Sequence, residues 1–402
     1  MFKFNFFARH TGWRAPAALI AAAMVAVACG GGGGESAISG SPEPLSFSSG
    51  RISGFGSIIV NGVHFDESTA KVTDDDDNLR SRTELGLGMI VEVNAGQIVR
   101  GAERSSSTAS EIVVRSEIKG PVEAVDAAAG TLTVLGQRVV VDASTVFENL
   151  SGGLAALKPG QQVEVFAFLD VKTGIYSATR IELEAALAEF KLRGVVAALD
   201  AKAKTFRIGA ALISFAQVPA DQMPSLADGQ LVRVKLLTTQ QAGAWVATKL
   251  KSGVRRIEGH AEAEAEGVVS DFVSLGNFKV NGVSVDASGT NVVFENGSQA
   301  DIANGVRLEA EGAVTGNVLI ARKIEFKRAE KQDDIEVHGS VQAVDPAAKT
   351  LTVRDMKFSF SAATVFRGGT AADLMVGRRV EVKARMGAAG GAFEATRIAF
   401  EN

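Results

Sequence analysis

Cys29 is the residue whose chemical fate the sequence specifies most closely. It is the single cysteine of a 402-residue chain, so no intrachain disulfide can form. Ala26, Val27 and Ala28 precede it and Gly30 follows. Upstream, Lys3, Arg9 and Arg14 introduce an apolar stretch from Ala15 to Val27 that is too short and too alanine-rich for a stable membrane span. That order reads as a signal peptide over 1–28 ending in a lipobox, with Cys29 becoming an acylated lipid anchor; Ala26 departs from the commoner Leu. Several acyl chains give lasting membrane attachment. Without an aspartate after the cysteine to resemble an inner-membrane retention signal, the expected location is the outer membrane, facing the periplasm or the cell surface.

Other reactive side chains form looser groups. Glu258, His260, Glu262, Glu264 and Glu266 recur at every second position, so on a strand they would share one face. Carboxylates with an imidazole can hold Ca²⁺, Mn²⁺ or Zn²⁺, which makes Glu258, His260 and Glu262 weak metal candidates. The intervening alanines favour a helix over a strand, and the segment is expected to be a solvated linker. Asp74 to Asp77 form the densest charge run but lack the ligand spacing of an EF-hand, so a solvated loop is expected there as well.

The mature histidines, His64, His260 and His338, show no short zinc spacing, and His64 reads as a surface or turn-adjacent residue. Ser68 to Lys71 match an S-x-x-K pattern with no Lys-Thr-Gly partner, and neither a G-x-S-x-G elbow nor a P-loop occurs. No catalytic residues, no cofactor and no enzyme activity are expected. Formal net charge is −4, and the signal peptide holds only positive charges, so the mature chain is acidic and nucleic acid is disfavoured as a partner. Trp245 and Tyr176 are the sole mature Trp and Tyr. Phe147, Phe294 and Phe366 recur at equivalent positions after Val, which suits core packing better than a stacking platform.

The elements that carry these residues are repeats. A Gly-x-x-Val-Glu-Val phrase recurs about every 70 residues, beginning at Gly88, Gly160, Gly229, Gly305 and Gly377, with Arg233 replacing Glu in the third copy. A second phrase follows each, beginning at Ala109, Ala178, Ala247, Ala321 and Ala395. Glycine-rich, β-branched sequence argues for short strands and tight turns. Asn61-Gly62 and Asn281-Gly282 between valines are hairpin signals, while Leu154 to Gly160 and Ala371 to Gly377 read as single helical turns. Each copy is therefore β-β-β-short helix-β-β, the order of an OB-type barrel.

The expected fold is all-β: five tandem five-stranded OB-like barrels strung like beads over 48–115, 116–187, 188–252, 253–330 and 331–402, after a Gly/Ser-rich spacer at 29–47. Units this small are marginal alone, so neighbours should pack together.

The lipobox, the glycine run, Ser53 to Asp66 and the Val141 to Phe147 phrase together resemble bacterial lipoproteins built from tandem copies of a small domain of unknown function. The resemblance covers nearly all of the mature chain, copy three least well because Pro219 and Pro224 interrupt it. It implies architecture and compartment but no site residues. The expected role is non-catalytic binding or scaffolding in the cell envelope, with an envelope protein or polysaccharide as partner. A passive spacer and an uncharacterised hydrolase are the alternatives.

Overall fold

A computed structural model describes residues 46–402 except 103, 255–256, 258–259, 328–334, 387–392 and 402. Cys29, the signal and spacer segments and Glu258 lie outside the described residues. The described chain is all-β, with 3₁₀ turns of three or four residues as its helices. Among the described residues, no helix is long and apolar enough to cross a membrane.

The same wiring recurs in each copy. In repeat 2 the first strand, Ile118–Asp126, pairs antiparallel with Thr131–Val134, which forms a hairpin with Gln137–Val140. That third strand and the short Val146–Glu148 both run parallel to the last strand, Ile175–Glu184. Gln162–Asp170 then pairs antiparallel with the last strand and with the first. The circuit closes with strand order 1-2-3-5-4-1, the connectivity of an OB-type barrel. The other four repeats close through the same antiparallel pairing of first strand with penultimate strand, at Ser46–Phe55, Phe190–Val195, Glu262–Ser274 and Ile335–Asp345.

The recurring sequence marks are requirements of this wiring. Gly88, Gly160, Gly229, Gly305 and Gly377 all sit at φ between +79° and +89°, a region where a side chain strains the backbone. In that conformation each amide donates to the first strand of its own barrel, at Ile52, Val122, Val196, Val269 and Val341, over 2.8 to 2.9 Å. Thr145 and Thr364 play the matching part for the second mark, since their hydroxyls donate to the carbonyls of Ala178 and Ala395. Asn61 and Asn281 take positive φ in their hairpin turns, as type I′ geometry demands.

Closure alone does not cover every strand edge. A first strand that serves two walls of its barrel is paired on one side along its first half and on the other along its second, leaving half-edges bare. These half-edges join the barrels. Ser46 to Ser49 of repeat 1 pair in parallel with Glu262 to Ala265 of repeat 4, and Gly54 and Phe55 pair in parallel with Glu336 and Val337 of repeat 5. Ile118 and Lys119 of repeat 2 pair with Leu192 and Lys191 of repeat 3. The string of beads is thereby corrected: repeat 1 is a hub bonded to the fourth and fifth barrels.

Candidate functional site

Along the penultimate strands, paired valines, or Leu308 and Ala310 in repeat 4, enter the barrel cores while the residue between them faces outward. Glu92, Glu164, Glu309 and Glu381 occupy that outward position, and each meets a base: Arg115, Lys119 at 2.9 Å, Lys327 at 2.7 Å and Arg397. In repeat 3 the same position is Arg233, and Lys191, Lys235, Lys249 and Lys251 surround it. That basic face receives the acidic run of repeat 1. Asp75 binds Lys191 at 2.8 Å and Arg233 at 2.6 Å, and Asp76 lies within 3.2 Å of Lys235, Lys249 and Lys251. Burial opposes ionisation of both aspartates, but the cations prevail and hold their pKa values below the ordinary range. The expected solvated loop is thus a half-buried docking plug whose Asp75 and Asp76 side chains are covered.

The glutamate stripe is corrected in the same way. Glu262 to Ser274 form a 13-residue strand rather than a linker. Ala263 and Ala265 fill the barrel, and Glu264 and Glu266 turn toward repeat 1 while remaining buried. Strand pairing on both sides overrides the helix preference of alanine. Glu266 binds Arg307 at 2.6 Å. Glu264 accepts from Ser48 at 3.3 Å, and burial, with Glu309 and Glu311 nearby, pushes its pKa up to about 8. His260 rests against the Phe47 ring, and Glu262 lies 3.7 Å from Arg100.

Two clefts open around the hub. The larger, of about 1020 Å³, lies where repeats 1, 2 and 5 meet. Phe55, Phe147, Met356 and Phe393 give it an apolar wall, and Arg80, Arg180, Glu182 and Arg354 give it charge. Arg180 also ties repeat 2 to repeat 1 by donating to the Leu87 carbonyl at 3.0 Å. The second cleft, of about 670 Å³, is lined by hydroxyls and charges, including Ser57, Asp66, Ser106 and Arg354, with His64 among its walls.

His64 is not a surface residue. It is 7% exposed and lies at the junction of repeats 1 and 5, its Nε2 3.6 Å from Oε1 of Glu336 and its ring edge-on to His338. His338 bonds Glu336 through Nε2 at 2.8 Å and Glu401 through Nδ1 at 2.6 Å. Burial disfavours charge on both rings. It dominates at His64, whose pKa falls, whereas the two carboxylates outweigh it at His338, whose pKa rises. Spacing gave no hint of this group, because its members come from repeats at opposite ends of the chain.

The remaining candidates fall in structural places. Tyr176 is buried and donates to the Arg193 carbonyl at 2.5 Å, and Trp245 packs edge-on to Phe190. Phe147, Phe294 and Phe366 pack against their barrel cores while staying partly open. Ser68 and Thr69 sit in an exposed turn, and Lys71 faces Glu111 at 3.8 Å.

None of the curated proteins compared matches the chain. A solved structure described as drosophila Unr CSD456 shares 11% identity over 72% of this chain and 98% of its own, with a TM-score of 0.14, too low to carry an argument. Residues 119–182, 266–325 and 338–399 each match a domain of unknown function, DUF5666. They fall in the second, fourth and fifth barrels, and the first and third share their wiring. The chain therefore carries three copies of the DUF5666 domain within a set of five like-wired OB-type barrels.

Proposed function

We propose that this chain is a bacterial lipoprotein of the cell envelope, anchored through Cys29, whose barrels bind or scaffold another envelope component rather than catalyse a reaction. The observation that carries this reading is the use of the repeat 1 first strand to gather barrels 4 and 5. A spacer gains reach from beads laid end to end, and this arrangement gives up reach to build clefts between barrels. The cleft among repeats 1, 2 and 5 is of a size that takes a ligand or a peptide segment. Its apolar wall beside alternating arginines and carboxylates suits an extended segment of an envelope protein.

The test is cross-linking of the full chain to envelope extract, beside an Arg354→Glu, Phe393→Asp variant. A protein partner captured by the parent and lost by the variant supports the reading. Capture of polysaccharide instead would replace the partner class. Equal capture by both chains would remove the cleft from the function, and no capture by either would return the role to a spacer.

A further inference from the structure

The first strand of repeat 5 alternates core and outward residues. Ile335 and Val337 enter the barrel, and Glu336 and His338 project on the other side. Pairing of Gly54 and Phe55 with Glu336 and Val337 brings repeat 1 against that outward pair. The approach is close: a Cβ at Gly56, whose φ is +147°, would lie 2.5 Å from Cβ of His338. His64, on the third strand of repeat 1, completes the group.

A ring nitrogen each of His64 and His338 and an oxygen of Glu336 all lie within 4.8 Å of one another, and the Nε2 atom of each ring faces Oε1 of Glu336. Two of the separations are known, 3.6 and 2.8 Å. Ligands about 2.0–2.1 Å from a tetrahedral zinc stand about 3.3 Å apart, between those two values, so small side-chain rotations suffice. The outer contacts suit ligation. Glu401 holds Nδ1 of His338, as carboxylates do behind zinc-bound imidazoles, and Lys383 takes Oε2 of Glu336 at 2.7 Å, leaving Oε1 to face the rings. His64 also borders the polar cleft, which can supply water to a fourth position. Two imidazoles and one carboxylate favour Zn²⁺ or a neighbouring first-row divalent ion over Ca²⁺ or Mg²⁺, which prefer all-oxygen shells.

We propose that His64, Glu336 and His338 bind one Zn²⁺, which clasps the first barrel to the last. Imidazoles ligate in the neutral form, so the metal takes the place of the proton between His338 Nε2 and Glu336, and that proton leaves to solvent. The clasp does not depend on the binding role proposed above, because its ligands lie outside the larger cleft.

The test is calorimetric titration of tag-free, chelator-treated full-length chain with ZnCl₂, with thermal melts alongside. One equivalent should bind at micromolar affinity or tighter and raise the melting temperature. His64→Gln and Glu336→Gln should each weaken binding at least tenfold, and Glu401→Gln about 10–100-fold, with circular dichroism confirming that each variant folds. X-ray absorption of the zinc-loaded parent gives a readout that needs no variant, and two imidazoles in the shell are expected. Absence of zinc binding, a shell without imidazole, or unchanged affinity in both His64→Gln and Glu336→Gln would overturn the proposal. Loss of binding only in His260→Gln would also overturn it, by placing the ion at repeat 4.

Discussion

Asp75 and Lys191 meet at 2.8 Å with both side chains 6% exposed, one from the loop of repeat 1 and the other from the first strand of repeat 3. A buried ion pair is weak evidence of net stabilisation, but removing one partner leaves a charge uncompensated. Asp75→Asn should therefore cost about 3–5 kcal/mol in urea unfolding. The double variant Asp75→Asn, Lys191→Met should recover part of that loss, since the orphaned ammonium is gone. A double variant no better than the single one would show that Arg233, the second partner of Asp75, dominates the site.

Glu264 should give stability a pH dependence opposite to that of most carboxylates. Its folded pKa of about 8 lies above the ordinary value of 4.5, so the folded chain keeps a proton that the unfolded chain has released. Unfolding therefore releases a proton, and stability falls as pH rises from about 4.5 to about 8, by at most about 1.4 kcal/mol per pH unit from this group. Glu264→Gln should flatten that segment of the curve and stabilise the chain at pH 8. Denaturant melts of both chains from pH 5 to pH 9 check it, and parallel curves would refute it.

The motif glycines should separate conformational strain from crowding. Gly160 has φ +89° and open space around it, whereas a Cβ on Gly88, at φ +79°, would lie 2.4 Å from the Thr179 carbonyl oxygen of repeat 2. Gly160→Ala should cost about 1–2 kcal/mol from left-handed backbone alone. Gly88→Ala should cost more and loosen the junction of repeats 1 and 2, where the Thr179 hydroxyl donates to the Gly88 carbonyl. Equal losses would mean that this contact adjusts freely.

Cys29→Ser tests the anchor. In cell fractionation the parent should remain with membranes and the variant should move to the soluble exported fraction. A variant that stays membrane-bound would assign retention to another part of the chain.

The barrels were legible because their signals are local. A glycine forced to positive φ and a strand that must alternate leave the same letters in every copy. What joins the barrels was not legible, because facing surfaces belong to residues far apart in sequence. One signal did exist for the plug. Copy three carries Arg233 where each of its sisters carries Glu, and copy one holds the single dense acidic run, so the two were complementary before any geometry was known. The Glu264 stripe is masked in the sequence by alanine propensity, which yields to strand pairing. The group of His64, Glu336 and His338 offers no such clue.

The half-edges of the Ser46–Phe55 strand bear on how the molecule is made. That strand is synthesised ahead of every other described element, yet two of its pairings await Glu262 to Ala265 and Glu336 to Val337. Until those segments emerge, the oldest strand of the nascent chain carries unsatisfied amides and carbonyls that any passing strand could take. The joining of repeat 1 to repeats 4 and 5 then waits on the youngest segments, and a chain ending after Phe326 would hold a first barrel whose edge at Gly54 and Phe55 has no partner from repeat 5.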